Sequence, residues 1–434
     1  MNMAEKCKPT LKLYDSDAYA SDFDATVLSC EPIMNVVHSA EREKDNSERG
    51  DNSTPTLYQV VLDQTVFFPE EGGQTPDRGL LMVGFTLVTQ VTDVQIRNGL
   101  IYHTVDQAID PGVRVHGIIN FDYRFSNMQN HSGEHIFSGL VHKKYGYENV
   151  GFHLSDSIVT MDYNGKLDQK QVAELELLAN DWIRRNVEIE CRYPSAEELE
   201  KIDYRSKKEI DGDVRIVTIP GCDVCACCAP HVKTTSEIGI LKVLSVTNYK
   251  GGVRLSILCG ERAELDYIHK HKELEGISQA LKVPQLETVA AVGKLLDEKT
   301  KLQMALNQAN ERILQFQIDE IEDCENAFLF SSITDSNTIR RAVNDMAKKF
   351  SGYVGIFYNE DLSNGTGENT GEAASEVVRK YSYIIGSGTK KPNCKDLQAR
   401  LHDDLQARGG GQPAMIQGSM ECTLSQIRGF LAQL

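Results

Sequence analysis

Apolar positions alternate with polar ones along the early part of the chain, from about residue 20 to 120, and predict a region built mostly of strands. The segment YQVVLDQTVFFP (58–69) is rich in β-branched and aromatic residues and stops at a proline. In VRVHGIINF (113–121), valine and isoleucine alternate with other residue types. The polar run at 38–56 is expected to be a solvated loop.

The middle of the chain mixes helical and strand-like patterns. A helical period is present in KLDQKQVAELELLANDWIRRN (166–186), where Asp168 has the position of an N-cap. Ser195 and Glu198 have the spacing of a capping box. Apolar runs typical of strands follow at 213–220, 238–249 and 253–260.

Residues 261–323 are charged and rich in Leu, Ala, Glu, Lys and Gln, and Pro284 interrupts them. This composition predicts a long helical hairpin or a kinked, coiled-coil-like arm that links two domains or forms a dimer contact. The last part, 324–434, alternates helix-like stretches such as 337–350 with apolar runs such as 353–358 and 381–388. It is expected to be a separate small α/β domain.

Length and composition are those of a soluble globular protein. The chain has 434 residues, enough for two to four domains, with 41% hydrophobic and 25% charged residues. It lacks an apolar run of about 18 residues, and its first residues lack the apolar core of a signal peptide, so we expect a cytoplasmic protein without a membrane partner.

The net charge of −17 argues against a surface that coats nucleic acid indiscriminately. From Glu325 onward basic and acidic residues are equal in number, so the whole excess of acid precedes that point. A nucleic-acid contact is therefore easier to place in the C-terminal quarter, although the unevenness is equally compatible with chance.

Two pairs of candidate metal ligands are each four residues apart. His131 and His135, in HSGEH, would lie on one face of a helix, and Cys227 and His231 follow about a hundred residues later. A set of three imidazoles and one thiolate suits Zn²⁺ in a tetrahedral site.

The eleven cysteines leave a second pairing open. In a cytoplasmic chain they are better read as reduced thiols than as a disulfide framework. Cys222, Cys225, Cys227 and Cys228 would offer four sulfurs to one ion. This interpretation is weaker, because adjacent cysteines point in different directions and the histidine pair would remain unexplained.

The order HxxxH and then CxxxH resembles the editing domain of alanyl-tRNA synthetases and of their free-standing relatives, the AlaX proteins. The resemblance spans roughly residues 15 to 263, and a fainter one to the synthetase C-terminal domain called DHHA1 indicates the long form of AlaX. The sequence departs from the family pattern where Cys228, Ala229 and Pro230 stand in place of the family's Gly-Gly-Thr, and Pro230 is expected to stiffen that loop. The matching segments are FFPEEGGQTPDRG (67–79), FDYRFSNMQNHSGEH (121–135), CCAPHVKTTSEIG (227–239), GVRLSILCGERA (252–263) and ARGGGQPAMIQGS (407–419).

The resemblance implies an α+β fold in four parts. The expected parts are an N-terminal β-barrel-like subdomain with the glycine-rich motif (1–112), an α/β zinc-containing editing domain (113–261), a helical arm (262–323) and a small DHHA1-like α/β domain (324–434). The arm or the C-terminal domain is expected to form a homodimer.

The resemblance also implies a trans-editing hydrolase that removes the wrong amino acid, serine or glycine, from mischarged tRNA(Ala) with one Zn²⁺ per chain; whether glycine is cleared as well as serine stays open. No segment resembles the class II aminoacylation core or an ATP-binding motif. Thr65 and Gln74 are expected in the catalytic site as contacts to the serine hydroxyl, with Gly72 and Gly73 admitting the aminoacyl end. The expected tRNA contacts are Arg340, Arg341, Lys348, Lys349, Lys390, Lys391 and Arg408.

Several alternatives stay open at this point. Either His231 is displaced and the ion activates water, or the ion orders the pocket and a second water attacks. Glu134 is interpreted as a solvated helix residue rather than a general base. The rival functions are a non-catalytic, zinc-stabilised tRNA-binding module and a zinc hydrolase of small esters or amides.

Overall fold

The computed structural model of the chain describes residues 8–33, 57–84, 87–206, 213–360, 362 and 377–434. The loop predicted at 38–56 lies outside these residues. The chain divides into two compact units, Met1–Leu274 and Glu275–Leu434. The fold is mixed α+β, as the sequence predicted.

The first unit begins with a β-barrel. Every second residue of the strand Asp22–Pro32 points inward, beginning with Phe23, Ala25 and Val27, and this alternation matches the two-residue period of a strand. The elements here are β1 (Leu11–Lys12), α1 (Leu13–Ser16), β2 (Asp22–Pro32), β3 (Tyr58–Leu62), β4 (Gln64–Thr65), β5 (Gly79–Val83), β6 (Leu87–Arg97), β7 (Leu100–Val105) and β8 (Arg114–Ile119). Six of them close a barrel in the order β2-β3-β7-β6-β5-β8, while β1 pairs with β4.

A long buried helix and a four-stranded sheet follow the barrel. The sheet has the order β14-β15-β10-β9, and a three-stranded sheet has the order β11-β12-β13. The elements are α2 (Phe121–Tyr145), β9 (Asn149–Leu154), β10 (Val159–Tyr163), α3 (Gln169–Arg184), β11 (Glu190–Arg192), α4 (Ala196–Leu199), β12 (Ile216–Ile219), β13 (Asp223–Ala226), β14 (Leu241–Tyr249) and β15 (Gly252–Cys259).

Both predicted helix starts are confirmed. Asp168 caps α3 by accepting a hydrogen bond from the Gln171 backbone N–H, and the Gln171 side chain returns a bond to the cap. Ser195 and Glu198 form the same reciprocal arrangement at the start of α4. These local signals need no tertiary contact, which is why the sequence alone revealed them.

Two long helices occupy the region predicted as an arm. The helix α5 (Gly260–Leu281) is followed by a break around Pro284, and α6 (Thr288–Asp319) belongs to the second unit. On one face of α6, Leu314 and Ile318 are buried in the core of that unit.

The second unit is a five-stranded sheet with helices. Its elements after α6 are β16 (Ala327–Ser331), α7 (Ser336–Lys349), β17 (Tyr353–Tyr358), β18 (Arg379–Ser387), α8 (Cys394–Leu405), β19 (Arg408–Gln412), β20 (Met415–Cys422) and α9 (Leu424–Leu431). The strand order is β16-β17-β18-β20-β19, with β16 and β17 parallel and the other pairs antiparallel. Among the described helices, each falls short of the length or the apolar character that crossing a bilayer requires.

Candidate functional site

The helix α2 carries the first pair of candidate ligands. Asn120 caps its start, and almost every residue from Arg124 to Val141 is buried. His131 and His135 are each 1% exposed, and their ring centroids are 5.5 Å apart, as expected for residues one helical turn apart. A Cβ at Gly139 would lie 2.7 Å from the Cys222 carbonyl oxygen, so this glycine lets the segment before β13 pack directly on α2.

The second pair lies in the loop that follows β13. The guanidinium of Arg215 donates to the carbonyl oxygens of Cys227 (3.1 Å) and Ala229 (2.8 Å), which holds the loop. The loop then meets α2, where the Val232 backbone N–H donates to the Ser132 hydroxyl. The chain thereby brings Cys227 beside the histidines of α2.

The four side chains named by the sequence form one cluster. One ligand atom from each of His131, His135, Cys227 and His231 lies within 4.8 Å of all the others. The Cys227 Sγ is 3.5 Å from His131 Nε2 and 3.4 Å from His231 Nε2. The three histidines are at most 3% exposed, whereas Cys227 is only partly buried.

Each imidazole uses its Nδ1 atom for a hydrogen bond to the protein. His131 Nδ1 lies 2.8 Å from Gln74 Oε1, His135 Nδ1 lies 2.9 Å from Asp223 Oδ2, and His231 Nδ1 lies 3.0 Å from the Ser132 hydroxyl. Gln74 Oε1 and the Asp223 carboxylate can only accept, so they hold a proton on Nδ1 of His131 and His135 and turn Nε2 toward the cluster. The Ser132 hydroxyl can accept from His231 Nδ1 in the same way. The buried Nε2 of His135 has no hydrogen-bond partner. This donor set, soft thiolate plus neutral imidazoles, fits a Zn²⁺ ion.

Charge at the cluster favours the thiolate. Burial opposes ionisation of Cys227, but the neighbouring histidines, His131 first, hold its pKa well below the usual value. Burial lowers the pKa of His231 to about 3, so that this ring is neutral. Burial also acts to lower the pKa of His135, yet the hydrogen bond to Asp223 and the neighbouring Cys227 thiolate raise it to about 9 in the metal-free cluster. A bound metal ion would take the place of the second ring proton, which leaves the neutral imidazole as the ligand.

An ion pair holds the carboxylate behind His135. Arg205 donates from Nε to Asp223 Oδ1 (2.8 Å) and from Nη2 to Asp223 Oδ2 (2.9 Å). Both side chains are buried, at 8% and 2% exposure. A second group with metal-binding geometry, His135, Asp223 and Cys225, shares these atoms. We interpret Asp223 as a residue that supports His135 rather than as a second metal site, because its carboxylate already accepts hydrogen bonds from both His135 and Arg205.

The remaining cysteines of the CDVCACCAPHV segment are arranged differently from the four-sulfur alternative. Cys222 Sγ contacts the carbonyl oxygen of Ile136 at 3.7 Å, whereas the Cys228 Sγ lies beside Gly72. Neither of the two metal-capable groups found among the described residues contains Cys222 or Cys228.

The glycine-rich segment reaches the cluster through one strand pairing. The Leu154 backbone N–H, at the end of β9, donates to the Gly73 carbonyl at 2.7 Å. Gly73 has φ +83°, and a Cβ there would lie 2.6 Å from the Phe152 carbonyl oxygen, so only glycine permits this approach. The next residue, Gln74, is fully buried, and its Nε2 has no partner in the described structure.

Gln74 therefore contacts a candidate ligand, a role that the sequence did not predict for it. Thr65 has protein partners that the sequence did not reveal. Its Oγ1 lies 2.9 Å from His103 Nε2 and accepts from the Phe67 backbone N–H. His103 is buried, its Nδ1 is 3.1 Å from the Val60 carbonyl, and burial lowers its pKa to about 4. The neutral ring donates from Nδ1, so its Nε2 accepts the Thr65 proton. Sequence reasoning missed His103.

The interpretation of Glu134 as a solvated residue is wrong. Its side chain is 0% exposed, and its Oε1 accepts from Ser138 (2.5 Å) and Asn149 (2.6 Å). Its Oε2 is 4.0 Å from His135 Nε2. The signal was present in the sequence, because Glu134 follows His131 by three residues and so shares its helix face.

The predicted tRNA contacts lie in the second unit, on α7 and on or near the strands. Several already have protein partners: Arg340 with Gln417, Arg341 with Glu311, Lys348 with Asp345, Lys349 with the Ile318 carbonyl, and Lys390 with Glu325. Lys391 precedes α8 in a left-handed conformation, and Arg408 begins the exposed edge strand β19.

Comparison with known proteins agrees with this architecture. Residues 5–123 match the family described as tRNA synthetases class II (A), and residues 214–255 match the threonyl and alanyl tRNA synthetase second additional domain. An alanine–tRNA ligase of Halobacterium salinarum is 30% identical over 67% of this chain but only 30% of its own length, so the similarity concerns a part of that enzyme.

Two proteins named as alanyl-tRNA editing proteins are similar over most of their length. The alanyl-tRNA editing protein Aarsd1-B of Xenopus laevis is 32% identical over 66% of this chain and 68% of its own. The alanyl-tRNA editing protein AlaX-L of Pyrococcus horikoshii is 24% identical over 96% of both chains. With a barrel, a buried HxxxH helix and a CxxxH loop arranged around one cluster, the chain belongs to the family of AlaX-type alanyl-tRNA editing proteins, which are deacylating hydrolases.

Proposed function

We propose that this protein hydrolyses the ester bond of tRNA(Ala) that carries serine, and also glycine, and does so in trans with one Zn²⁺ per chain. The observation that carries the proposal is the common orientation of three imidazoles. Each Nδ1 is hydrogen-bonded to a protein side chain, so Nε2 is the ring nitrogen that remains available to an ion beside the Cys227 thiolate. The proposed substrate implies a cytoplasmic location.

His131, His135, Cys227 and His231 would hold the ion, and Gln74, Asp223 and Ser132 would orient the three rings. A zinc ion in such a site supplies a Lewis acid beside the ester. Four protein ligands would complete the coordination of the ion, and His231 would be the ligand given up. Its Nδ1 partner is a hydroxyl, whereas His135 is held by the Asp223 carboxylate, which Arg205 fixes in turn.

Recognition of the aminoacyl end is assigned to the segment around Gly72 and Gly73. The Nε2 amide group of Gln74 is buried and has no hydrogen-bond acceptor among the described residues, so it is suited to donate to a carbonyl or hydroxyl oxygen of the substrate. Thr65 retains one acceptor lone pair, since it donates to His103 and accepts from Phe67. A serine hydroxyl would satisfy such groups, and alanine would leave them unpaired, which is a physical basis for sparing Ala-tRNA(Ala).

The four expected parts of the chain receive separate roles in this proposal. Residues 1–112 and 113–261 would bind the acceptor end, and 262–323 would connect them to a DHHA1-like domain at 324–434 that binds the tRNA body. Residues Arg340, Arg341, Lys348, Lys349 and Arg408 would contact phosphates. A homodimer through the helical arm belongs to the same proposal.

The test compares two histidines of the same helix. His135→Ala removes a candidate ligand, whereas His142→Ala removes an exposed histidine that pairs with Glu148. We expect His135→Ala to lose zinc and hydrolysis of Ser-tRNA(Ala) while the His142 variant keeps both. Ala-tRNA(Ala) should remain intact with every form of the protein.

The same samples separate the rival functions. Purified, folded wild type that binds tRNA but leaves Ser-tRNA(Ala) intact would favour a non-catalytic, zinc-stabilised binding module. Turnover of a serine ester that lacks tRNA would favour a hydrolase of small esters. Gly-tRNA(Ala), assayed alongside, decides whether glycine belongs to the substrate range.

A further inference from the structure

The glycine-rich segment forms a two-residue hairpin turn beside the cluster of candidate ligands. Gly72 has φ +62° and Gly73 has φ +83°, and both are exposed. The flanking residues Glu71 and Gln74 pair in an antiparallel bridge, in which the Gln74 backbone N–H donates to the Glu71 carbonyl oxygen at 3.1 Å. Positive φ at both central residues is typical of a type I′ turn, which two glycines adopt without strain.

The bridge places the Glu71 and Gln74 side chains on the same face of the turn. Residues directly opposite each other in an antiparallel pair have Cβ atoms about 4.5–5.5 Å apart on one face. Gln74 Oε1 lies 2.8 Å from His131 Nδ1, so this face is the one turned toward the cluster. A Cβ on Gly72 would lie 3.3 Å from Cys228 Sγ, so the turn also packs against the loop that carries Cys227. The turn therefore presents a carboxylate next to the amide that supports a candidate ligand.

Both side chains on this face have a buried polar atom without a protein partner. Glu71 Oε2 and Gln74 Nε2 lack a hydrogen-bond partner among the described residues, and so does the buried hydroxyl of Tyr14. Burial raises the pKa of that hydroxyl, and the charges of Asp15 and Glu71 raise it further, which places the Glu71 carboxylate near Tyr14. Because burying an unpaired carboxylate oxygen is costly, a ligand that supplies the missing donor is the physical explanation for this arrangement.

We propose, on the basis of the ester hydrolysis proposed above, that Glu71 binds the α-ammonium group of the aminoacyl ester while Gln74 Nε2 donates to the ester carbonyl oxygen. The aminoacyl group of a seryl ester carries one positive charge, on the α-amino nitrogen, and one carbon separates that nitrogen from the ester carbonyl. A carboxylate and an amide donor side by side complement these two groups in charge and in hydrogen-bonding type. Glu71 would thus select esters that have a free amino group.

The hydrolysis test compares two esters that differ in this charge. Glyceryl-tRNA(Ala) has a hydroxyl in place of the α-amino group of Ser-tRNA(Ala) and keeps the serine hydroxyl. We expect Glu71→Gln to lower kcat/KM for Ser-tRNA(Ala) by about 10- to 100-fold, the range for a hydrogen bond to a charged group, and to change that for glyceryl-tRNA(Ala) by less than about 3-fold. Equal slowing of both esters would show that the carboxylate acts on the reaction itself and would overturn the ammonium contact.

Glu70→Gln is the matched control for the loss of charge. The Glu70 side chain is exposed and accepts a hydrogen bond from Gln95 Nε2 at 2.8 Å, so its substitution should leave both rates unchanged. Zinc content is measured on all three proteins. It should be the same in Glu71→Gln as in wild type, and a loss of zinc would assign the carboxylate to the metal and overturn the proposal.

Binding separates the contact from catalysis. The seryl amide of 3′-amino-3′-deoxyadenosine keeps the α-amino group without the ester, and the glyceryl amide lacks the charge. By calorimetric titration, wild type should bind the seryl amide about 10- to 100-fold more tightly than the glyceryl amide, and Glu71→Gln should abolish this preference while Glu70→Gln keeps it.

The two measurements distinguish failure of this contact from failure of the proposed function. A wild type that hydrolyses Ser-tRNA(Ala) but binds the two amides alike, or binds neither, would overturn the role of Glu71 alone. A preference that depends on Glu71, in a protein that leaves Ser-tRNA(Ala) intact, would refute the proposed hydrolysis and support the contact.

Discussion

Gln74 offers the sharpest test of how the candidate site is organised. The sequence suggested that it contacts the substrate, whereas the structure shows its Oε1 at 2.8 Å from His131 Nδ1 in a fully buried position. Gln74→Met preserves length and approximate volume but removes the acceptor. The His131 N–H would then be buried without a partner, and nothing would hold the ring with its Nε2 toward Cys227.

The expected loss follows from that contact. Removing an outer partner of a ligating histidine lowers metal affinity by about 10- to 100-fold, which corresponds to about 1.4–2.7 kcal/mol. The metal-free protein should also lose about 1–3 kcal/mol of unfolding free energy, the cost of an unsatisfied buried donor. Gln74→Glu retains an acceptor and should recover most of the zinc affinity.

The assay is competition between the protein and a chromophoric zinc chelator, with KM and kcat for Ser-tRNA(Ala) measured on the zinc-loaded samples. Gln107→Met, at an exposed position in the loop between β7 and β8, is the control for the substitution itself. If Gln74→Met raised KM and left zinc affinity unchanged, the glutamine would act on the substrate alone, and the orientation argument would be wrong.

Three further perturbations follow from the same geometry. Asp223→Ala leaves the buried Arg205 guanidinium without its carboxylate and should lower the unfolding free energy of the metal-free protein by about 3–5 kcal/mol, measured by denaturant unfolding. Asp156→Ala, which breaks an exposed ion pair, should lower it by less than about 1 kcal/mol, and equal losses would contradict the argument. Gly73→Ala introduces a Cβ 2.6 Å from a carbonyl oxygen at φ +83° and should lower both stability and zinc affinity, whereas normal zinc binding would show that the loop adapts. His103 has a pKa lowered to about 4 in the folded state, so its stabilising contribution is complete above pH 6.5 and is lost as pH falls toward 4, by about 2 kcal/mol between pH 7 and pH 5; a pH dependence that is identical in His103→Gln would refute this.

Interactions within a few residues are predictable from the sequence. The capping residues Asp168 and Ser195 were found from residues three positions away, because a helix start is a local event. The spacing of His131 and His135 predicted a shared helix face for the same reason. The grouping of HxxxH with CxxxH rested on the ligand chemistry of the four residues and on the resemblance to a family, because no local rule brings together segments about a hundred residues apart.

The chain determined by itself which elements form and which side chains are suited to a soft metal ion, since periodicity, caps and ligand chemistry are properties of short segments. Tertiary structure alone decided which atom of each ring is available. The partners of His131, His135 and His231 are 57, 88 and 99 residues away in sequence, and no local pattern links them. The burial of Glu134 was decided in the same way, because the exposure of a polar residue depends on what distant segments pack against it.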